Sequence, residues 1–577
     1  MTTPEYRREH TQEEAAASGW RPESDSFEVD DDRHRALHYQ TTAGAEDPEE
    51  PETELNRMIS SIGFGRYHRR VLALCGLGWL ADNMWMQCVA CILPRVQQHF
   101  AVSNARIGLL SSSMFLGLMC GALIWGPVSD RFGRVVAYRW TLAVAALFGG
   151  LASLAPSFAL LCLCLFGLGS GVGGNMPVDG AIFLEFIPRE KRHLLTLLSV
   201  FFSFGSALAA SAALAILPPL SCPDGSGADC DVARENRGWR VLLGVLAAVT
   251  VCMVVLRNGC FRLHETPRFL LQNRRRADVV VVLRKIVDYN GGASRPTPLA
   301  GEEGSGERDS ADSASDSSSW LEWPDAEAAE DDDPQHTESV RLKKTWLAAC
   351  RQSVGAALDV RAHTRLLQPL FARALRRTTI TVWMIWAIVA MGFTMFNVFL
   401  PKLLESSGNH DSQGETEPQG SHAIQVRVYR DSLVYAISGI PGSIVGAWLV
   451  RTRLGRIYSM ALSTFVSGLA LVAFAMAAKY GSPALTTVSS SVFGLMSTMM
   501  FAVIYAYTPE VFPAAVRGTA CGMASALGRV SGIIAPLVTG LLLEASTTVP
   551  LYVSVGLLWA AAVCMVALPI ETRDTAG

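Results

Sequence analysis

Twelve apolar runs of about 20 residues recur along the 577-residue chain, and no other feature restricts its fold so strongly. They lie near 71–94, 106–127, 135–156, 158–184, 195–218, 239–257, 379–401, 429–450, 458–478, 484–508, 518–543 and 549–570. A run of about 20 residues spans ~30 Å of hydrocarbon as a helix. Each is rich in Leu, Val, Ala and Gly and lacks the alternating polarity of a membrane barrel strand, so helices are the form that satisfies the backbone in lipid. Half of all residues are hydrophobic and 18% are charged, a balance that points to a membrane protein. The expected fold is all-α, a polytopic bundle of twelve transmembrane helices.

Charge divides the loops into two sets. Arg131 and Arg134, Arg189 with Lys191 and Arg192, Arg268 with Arg274 to Arg276, Arg451, Arg453 and Arg456, and Arg517 fall in alternate loops. The positive-inside rule makes that side cytoplasmic and puts both termini there. Arg95, Arg106, Arg234, Arg237, Lys402, Arg427 and Arg430 fall in loops of the other side and run against the rule. Residues 1–57 form a polar, acid-rich tail without the apolar core of a cleaved signal peptide. Between an expected six-helix bundle over 58–257 and a second over 378–570 lies a linker, 258–377. Its acidic stretch 301–335 is too poor in apolar residues to order itself, and 571–577 is a short tail. Eleven of the thirteen cysteines lie in or beside apolar runs, where they read as core filler rather than metal ligands. Cys222 and Cys230 share an extracytoplasmic loop, PPLSCPDGSGADCDVARENRG, where pairing and free thiols are both open.

Three short patterns occur once in each half and in the same order. GPVSDRFGR (Gly126 to Arg134) is matched by GAWLVRTRLGR (Gly446 to Arg456), with Thr452 standing where the first half has Asp130. EFIPREKR, with Glu185 and Arg192, is matched by EVFPAAVR, with Glu510 and Arg517 at the same spacing. HETPRF (His264 to Phe269) is matched by IETRD (Ile570 to Asp574). The set resembles the major facilitator superfamily, whose fold is two six-helix bundles. That resemblance implies a cytoplasmic gate that clamps the halves, carried here by Asp130, Arg131, Arg134, Glu185, Arg192, Glu265 and Arg268 in the first half. In the second half it implies Arg453, Arg456, Glu510, Arg517 and Glu571. Exposed ion pairs contribute only about 0–1 kcal/mol each, which suits a gate that must open. Within the superfamily, IGFGRYHRR, WLADNMWMQ, GSGVGGNMPVDGAIFLEFIP, YTPEVFPAAVRGTACG and ALGRVSGIIAP are similar to fungal relatives of the synaptic vesicle protein 2 and metabolite:proton symporter group. The Gln-Gln run of sugar porters is missing from the seventh helix, which has Asn397 alone; a hexose is therefore disfavoured.

Polar groups inside the runs are the candidate site. An ionised Asp at the centre of a membrane helix costs about 2.5–3.5 kcal/mol on the lenient scale, so Asp82, in WLADNMWMQ, is expected to carry the coupling proton, the alternative being a hydrogen-bonded structural Asp. Arg529 needs a carboxylate such as Asp82 or Asp179, or an anionic substrate. Asn83, Gln87, Asn175, Asp179, Asn397 and Arg529 are assigned to the substrate cavity. The glycines at 167, 169, 171, 173 and 174 read as close helix packing, and Leu165 and Phe166 stand where related transporters often carry an Arg. The chain is thus expected to be a secondary transporter and not an enzyme, working by alternating access as a proton symporter of a small polar or organic-ion metabolite. Its expected partners are that substrate, protons and the lipid bilayer, with no nucleic acid, no cofactor and no metal, and it is expected to act as a monomer. A proton-antiport exporter and a transporter-like receptor are the rival readings. No phosphate-binding loop of the kind that would supply ATP drive is present.

Overall fold

The computed structural model describes residues 49–188, 191, 194–222, 230–260, 263–291, 368–411, 418–449, 452, 454–480 and 482–572. The acidic insert, most of the N-terminal tail, Arg192 and Arg453 lie outside them. From Leu55 onward the chain forms one compact unit, whose described residues are helices joined by short turns and loops.

Among the described residues, twelve long helices stand where the apolar runs predict them. They are α1 Arg66–His99, α2 Asn104–Phe132, α3 Arg134–Ser153, α4 Phe158–Phe186, α5 Leu195–Ile216, α6 Gly238–Val255, α7 Arg373–Asn397, α8 Pro418–Leu449, α9 Gly455–Tyr480, α10 Pro483–Val511, α11 Ala514–Ala545 and α12 Val549–Val566. Ten of them are long and apolar enough to cross a bilayer by length and composition alone. The other two, α1 and α8, are also long, at 34 and 32 residues, but carry polar groups such as Asp82, Asn83 and Gln87 in α1 and Arg427, Arg430 and Asp431 in α8. Both overrun their apolar cores, because a helix that leaves hydrocarbon for a polar rim keeps its own backbone bonds. A short helix, Leu400–Asp411, follows α7, where the sequence predicts only the end of a span.

The second half repeats the packing of the first. In the first, α2 packs on α4, α3 on α4 and α6, and α1 on α5; in the second, α8 packs on α10, α9 on α10 and α12, and α7 on α11. The glycines of α4 make this possible. A Cβ on Gly169 would come within 2.3 Å of the Met114 carbonyl oxygen, and one on Gly173 within 2.2 Å of that of Leu118, so only a bare backbone lets α2 approach so closely. The halves meet along two seams, α2 against α11 and α5 against α8.

Candidate functional site

Between the halves, at mid-height of the helices, lies a cavity of about 260 Å³. The first half lines it with Asp82, Asn83, Met86 and Gln87 of α1, Phe115 and Leu118 of α2, and Ser199, Phe202, Ser203 and Ser206 of α5. The second half supplies Trp386, Phe393, Thr394 and Asn397 of α7, Tyr435 of α8, Ser497, Thr498, Phe501 and Tyr505 of α10, and Ser525 and Arg529 of α11. Five of the residues singled out from the sequence (Asp82, Asn83, Gln87, Asn397 and Arg529) thus share one wall-to-wall space. Tyr435 donates its hydroxyl to Asn397 Oδ1 at 2.8 Å, which holds the amide in place.

Asp82 is buried and accepts a hydrogen bond from Asn175 Nδ2 at 2.8 Å. Asn175 stands directly behind it, fully buried, rather than on the cavity wall. Asp179 departs further from its expected place. One turn along α4 from Asn175, it is fully buried and pairs at 2.5 Å with Arg257, in the helical turn Leu256–Cys260 that follows α6. Arg257 also donates to the Tyr138 carbonyl at 3.0 Å and lies 4.1 Å from the centre of that tyrosine's ring. The sequence reading missed Arg257, although an arginine closing an apolar run is a candidate partner for a buried carboxylate. Arg529 lies within electrostatic reach of Asp82 and Tyr505, and its Nη1 donates to the Leu118 carbonyl at 2.8 Å, a bond from α11 across the seam to α2.

At the end of the bundle that holds the repeated loop motifs, each half contains the same small network. In the first, Arg134 pairs with Asp130 and, at 3.1 Å, with Glu185. Glu265 accepts the backbone N–H of Arg134 at 2.8 Å and of Val135 at 3.4 Å, and Thr266 donates to Glu185 at 2.5 Å. In the second, Arg456 pairs with Glu510, Glu571 accepts the N–H groups of Arg456 and Ile457 at 3.0 Å each, and Thr572 donates to Glu510 at 3.2 Å. Glu265 and Glu571 thereby satisfy the first N–H groups of α3 and α9, where a carboxylate is favoured. Burial pushes the Glu265 carboxyl above the usual glutamate value, opposed by those backbone donors. Gly133 and Gly455 have φ of 104° and 68°, and a Cβ on either would run into the capping glutamate. These ion pairs join residues of one half, whereas the resemblance implies a clamp between halves. Arg268 donates to Asn56 at 2.8 Å, and the Arg517 Nε donates to the Phe512 carbonyl at 3.3 Å. Thr266 and Thr572 were missed by the sequence reading, though both stand in the repeated Glu-Thr step of its third motif.

The opposite end joins the halves directly. Arg95 of α1, 1% exposed, pairs with Glu405 of the short helix after α7. Its Nη1 also donates to the Cys222 carbonyl at 2.6 Å, an oxygen that takes a second bond, at 2.9 Å, from Gln425 of α8. Cys222 is bonded to Cys230, so the disulfide loop is the third member of this contact. Lys402 reaches Gln97 and Asn104 at 2.5 Å each. Two of the cations that run against the positive-inside pattern are therefore engaged between the halves.

The family model for the Major Facilitator Superfamily matches residues 73–412 and 382–576. The chain is 33% identical over 522 residues to MFS siderochrome iron transporter 1 of Ceriporiopsis subvermispora, covering 90% of each chain. To the synaptic vesicle 2-related protein of Xenopus laevis it is 25% identical, over 89% of this chain and 80% of that one. Among solved structures it resembles the partially occluded, inward-open xylose transporter XylE of E. coli, with a TM-score of 0.59 and 12% identity over 88% of this chain and all of that one; at this identity the likeness speaks for the fold. With twelve helices in two matching halves around a shared cavity, the chain belongs to the Major Facilitator Superfamily, a family of membrane transporters for small-molecule substrates.

Proposed function

We propose that the protein is a proton-coupled symporter that moves a small polar or organic-ion metabolite by alternating access. One observation carries this reading: the Asp82 carboxyl of one half and the Arg529 guanidinium of the other line the same cavity. When Asp82 is ionised it balances Arg529 across that space; when it takes a proton, Arg529 is left to a ligand. Asn175, donating to Asp82, orients the carboxyl in both states. The charge bias of the loops supports a cytoplasmic side at the Arg134 and Arg456 end, with both termini. On that orientation the Arg95–Glu405 contact lies at the extracytoplasmic end, which supports reading this conformation as closed to the outside. On this reading the loop networks brace each half as a rigid body, and gating by Asp130, Arg131, Arg134, Arg268, Glu510 and Arg517 belongs to the outward-open state. The protein is taken to act as a monomer, each chain holding a complete cavity.

Proton movement into sealed vesicles, measured while candidate metabolites are added, tests the reading. Substrate-dependent flux is expected for the wild type and should be abolished in Asp82→Asn while binding persists. Flux that survives the substitution would remove Asp82 from the coupling step. Flux of protons outward against substrate entry would favour an exporter, and binding without any flux a receptor.

A further inference from the structure

We propose that the cavity is shaped for a small organic monoanion with a flat ring, its acid group on Arg529 and its ring along the aromatic row of α7 and α10. The proposal rests on the transport reading and names the substrate class for it. Charge is the first argument. Among the described lining residues the acid is Asp82 and the base is Arg529. Asp82 already holds a donor in Asn175. The Arg529 guanidinium offers five N–H groups in a planar fork, and among the described residues one hydrogen bond uses it, Nη1 to Leu118. The remaining donors belong to a side chain on the cavity wall, in the geometry that binds a carboxylate through two parallel bonds.

The aromatic row supplies the second. Trp386 meets Tyr505 edge to face with ring centres 5.0 Å apart, and Phe393 meets Phe501 in the same way at 5.0 Å. Phe501 and Tyr505 lie 6.3 Å apart and join the two pairs. The Trp386 indole N–H is held by the Thr508 hydroxyl at 2.9 Å, so the ring is fixed, and Tyr505 leaves 40% of its surface uncovered, on the cavity wall. Gly528 packs against Trp386, which brings the neighbouring Arg529 to the end of the row. Aromatic faces also attract cations, but a cation here would lie beside a fixed guanidinium in a low-dielectric space, where like charges repel strongly. An anion meets attraction from Arg529 and stacking from the rings. At about 260 Å³ the cavity falls just below the ~300–1,000 Å³ of common ligand pockets, room for one ring and its acid group rather than a large chelate. With the proton on Asp82, one anion and one proton cross together and no net charge moves.

The test compares ligands of one size on the purified full-length chain: benzoate, cyclohexanecarboxylate, benzamide and benzylamine, with binding followed by calorimetry. Benzoate should bind about ten- to a hundredfold more tightly than benzamide, the span of a charge-assisted contact, and about three- to tenfold more tightly than cyclohexanecarboxylate. Arg529→Gln should remove the preference for benzoate over benzamide while benzamide binding is retained, which also shows that the variant is folded; Arg529→Lys should restore part of it. Tightest binding by benzylamine, or an unchanged benzoate preference in Arg529→Gln, would overturn the proposal. Proton flux is then read with benzenesulfonate, a permanent anion that does not cross a bilayer as a neutral acid. Benzoate binding without benzenesulfonate-driven flux keeps the anion site and counts against coupled transport. Asp82-dependent flux driven by benzylamine keeps coupled transport and removes the anion site.

Discussion

At the scale of single residues, the informative contrast is between two acids of the first half. Asp82 lines a cavity, whereas Asp179, fully buried, spends its charge on Arg257. Removing one partner of a buried ion pair leaves an uncompensated charge and costs about 3–5 kcal/mol, while replacing both by apolar groups is often neutral. Arg257→Met is therefore expected to lower thermal stability in detergent sharply, and Asp179→Leu with Arg257→Met to recover most of the loss; equal melting temperatures for the single and double variants would show that the pair does not act as a unit. Asn175 belongs with Asp82. Asn175→Leu removes the donor from a buried carboxyl, which should cost about 1–3 kcal/mol of stability and shift proton flux along the pH axis, as read from flux against pH in the folded variant. The sequence drew attention to all of these residues except Arg257, because polar groups in apolar runs stand out. It did not sort them, since Asn175 and Asp179 share one helical face and only the neighbours that face meets tell a cavity from a core.

Among elements, the caps of α3 and α9 show how a repeat in sequence becomes a repeat in structure. In each, a glycine with positive φ starts the helix and a glutamate more than a hundred residues later accepts its first N–H groups. A side chain at such a φ costs about 1–3 kcal/mol, and here the glutamate occupies the space as well. Gly133→Ala and Gly455→Ala should each destabilise the protein by roughly that amount or more, read as lowered unfolding temperatures, whereas Gly150→Ala, with open space around its Cβ position and no positive φ, should lie within about 0.5 kcal/mol of wild type. The motif spacing made both loops recognisable. That each glutamate turns back onto its own half was not legible, because a spacing states that two loops are alike and not which helix end each one reaches.

For the whole molecule, the two halves are built alike and joined unlike at their two ends. Arg95, Glu405, Gln425 and Cys222 tie them at one end, while at the other the described pairs of Arg134 with Glu185 and Arg456 with Glu510 run within each half. Arg95→Gln should let the tied end separate, lengthening the distance between spin labels placed one on each half there; an unchanged distance distribution would show that this contact does not hold the halves. The chain's own order of residues determined that it crosses a membrane twelve times as helices, that it is a doubled bundle, and which polar groups stand out within the apolar runs. Those are consequences of local composition, hydrocarbon thickness and repetition, each readable along a line. Only the tertiary structure decided which charges meet, Asp179 with Arg257 and Arg95 with Glu405, and which, such as Asp82 and Arg529, line the cavity. Partners 78 and 310 positions apart are brought together by the rotation and packing of whole helices, and a helix in lipid takes its rotation from its neighbours.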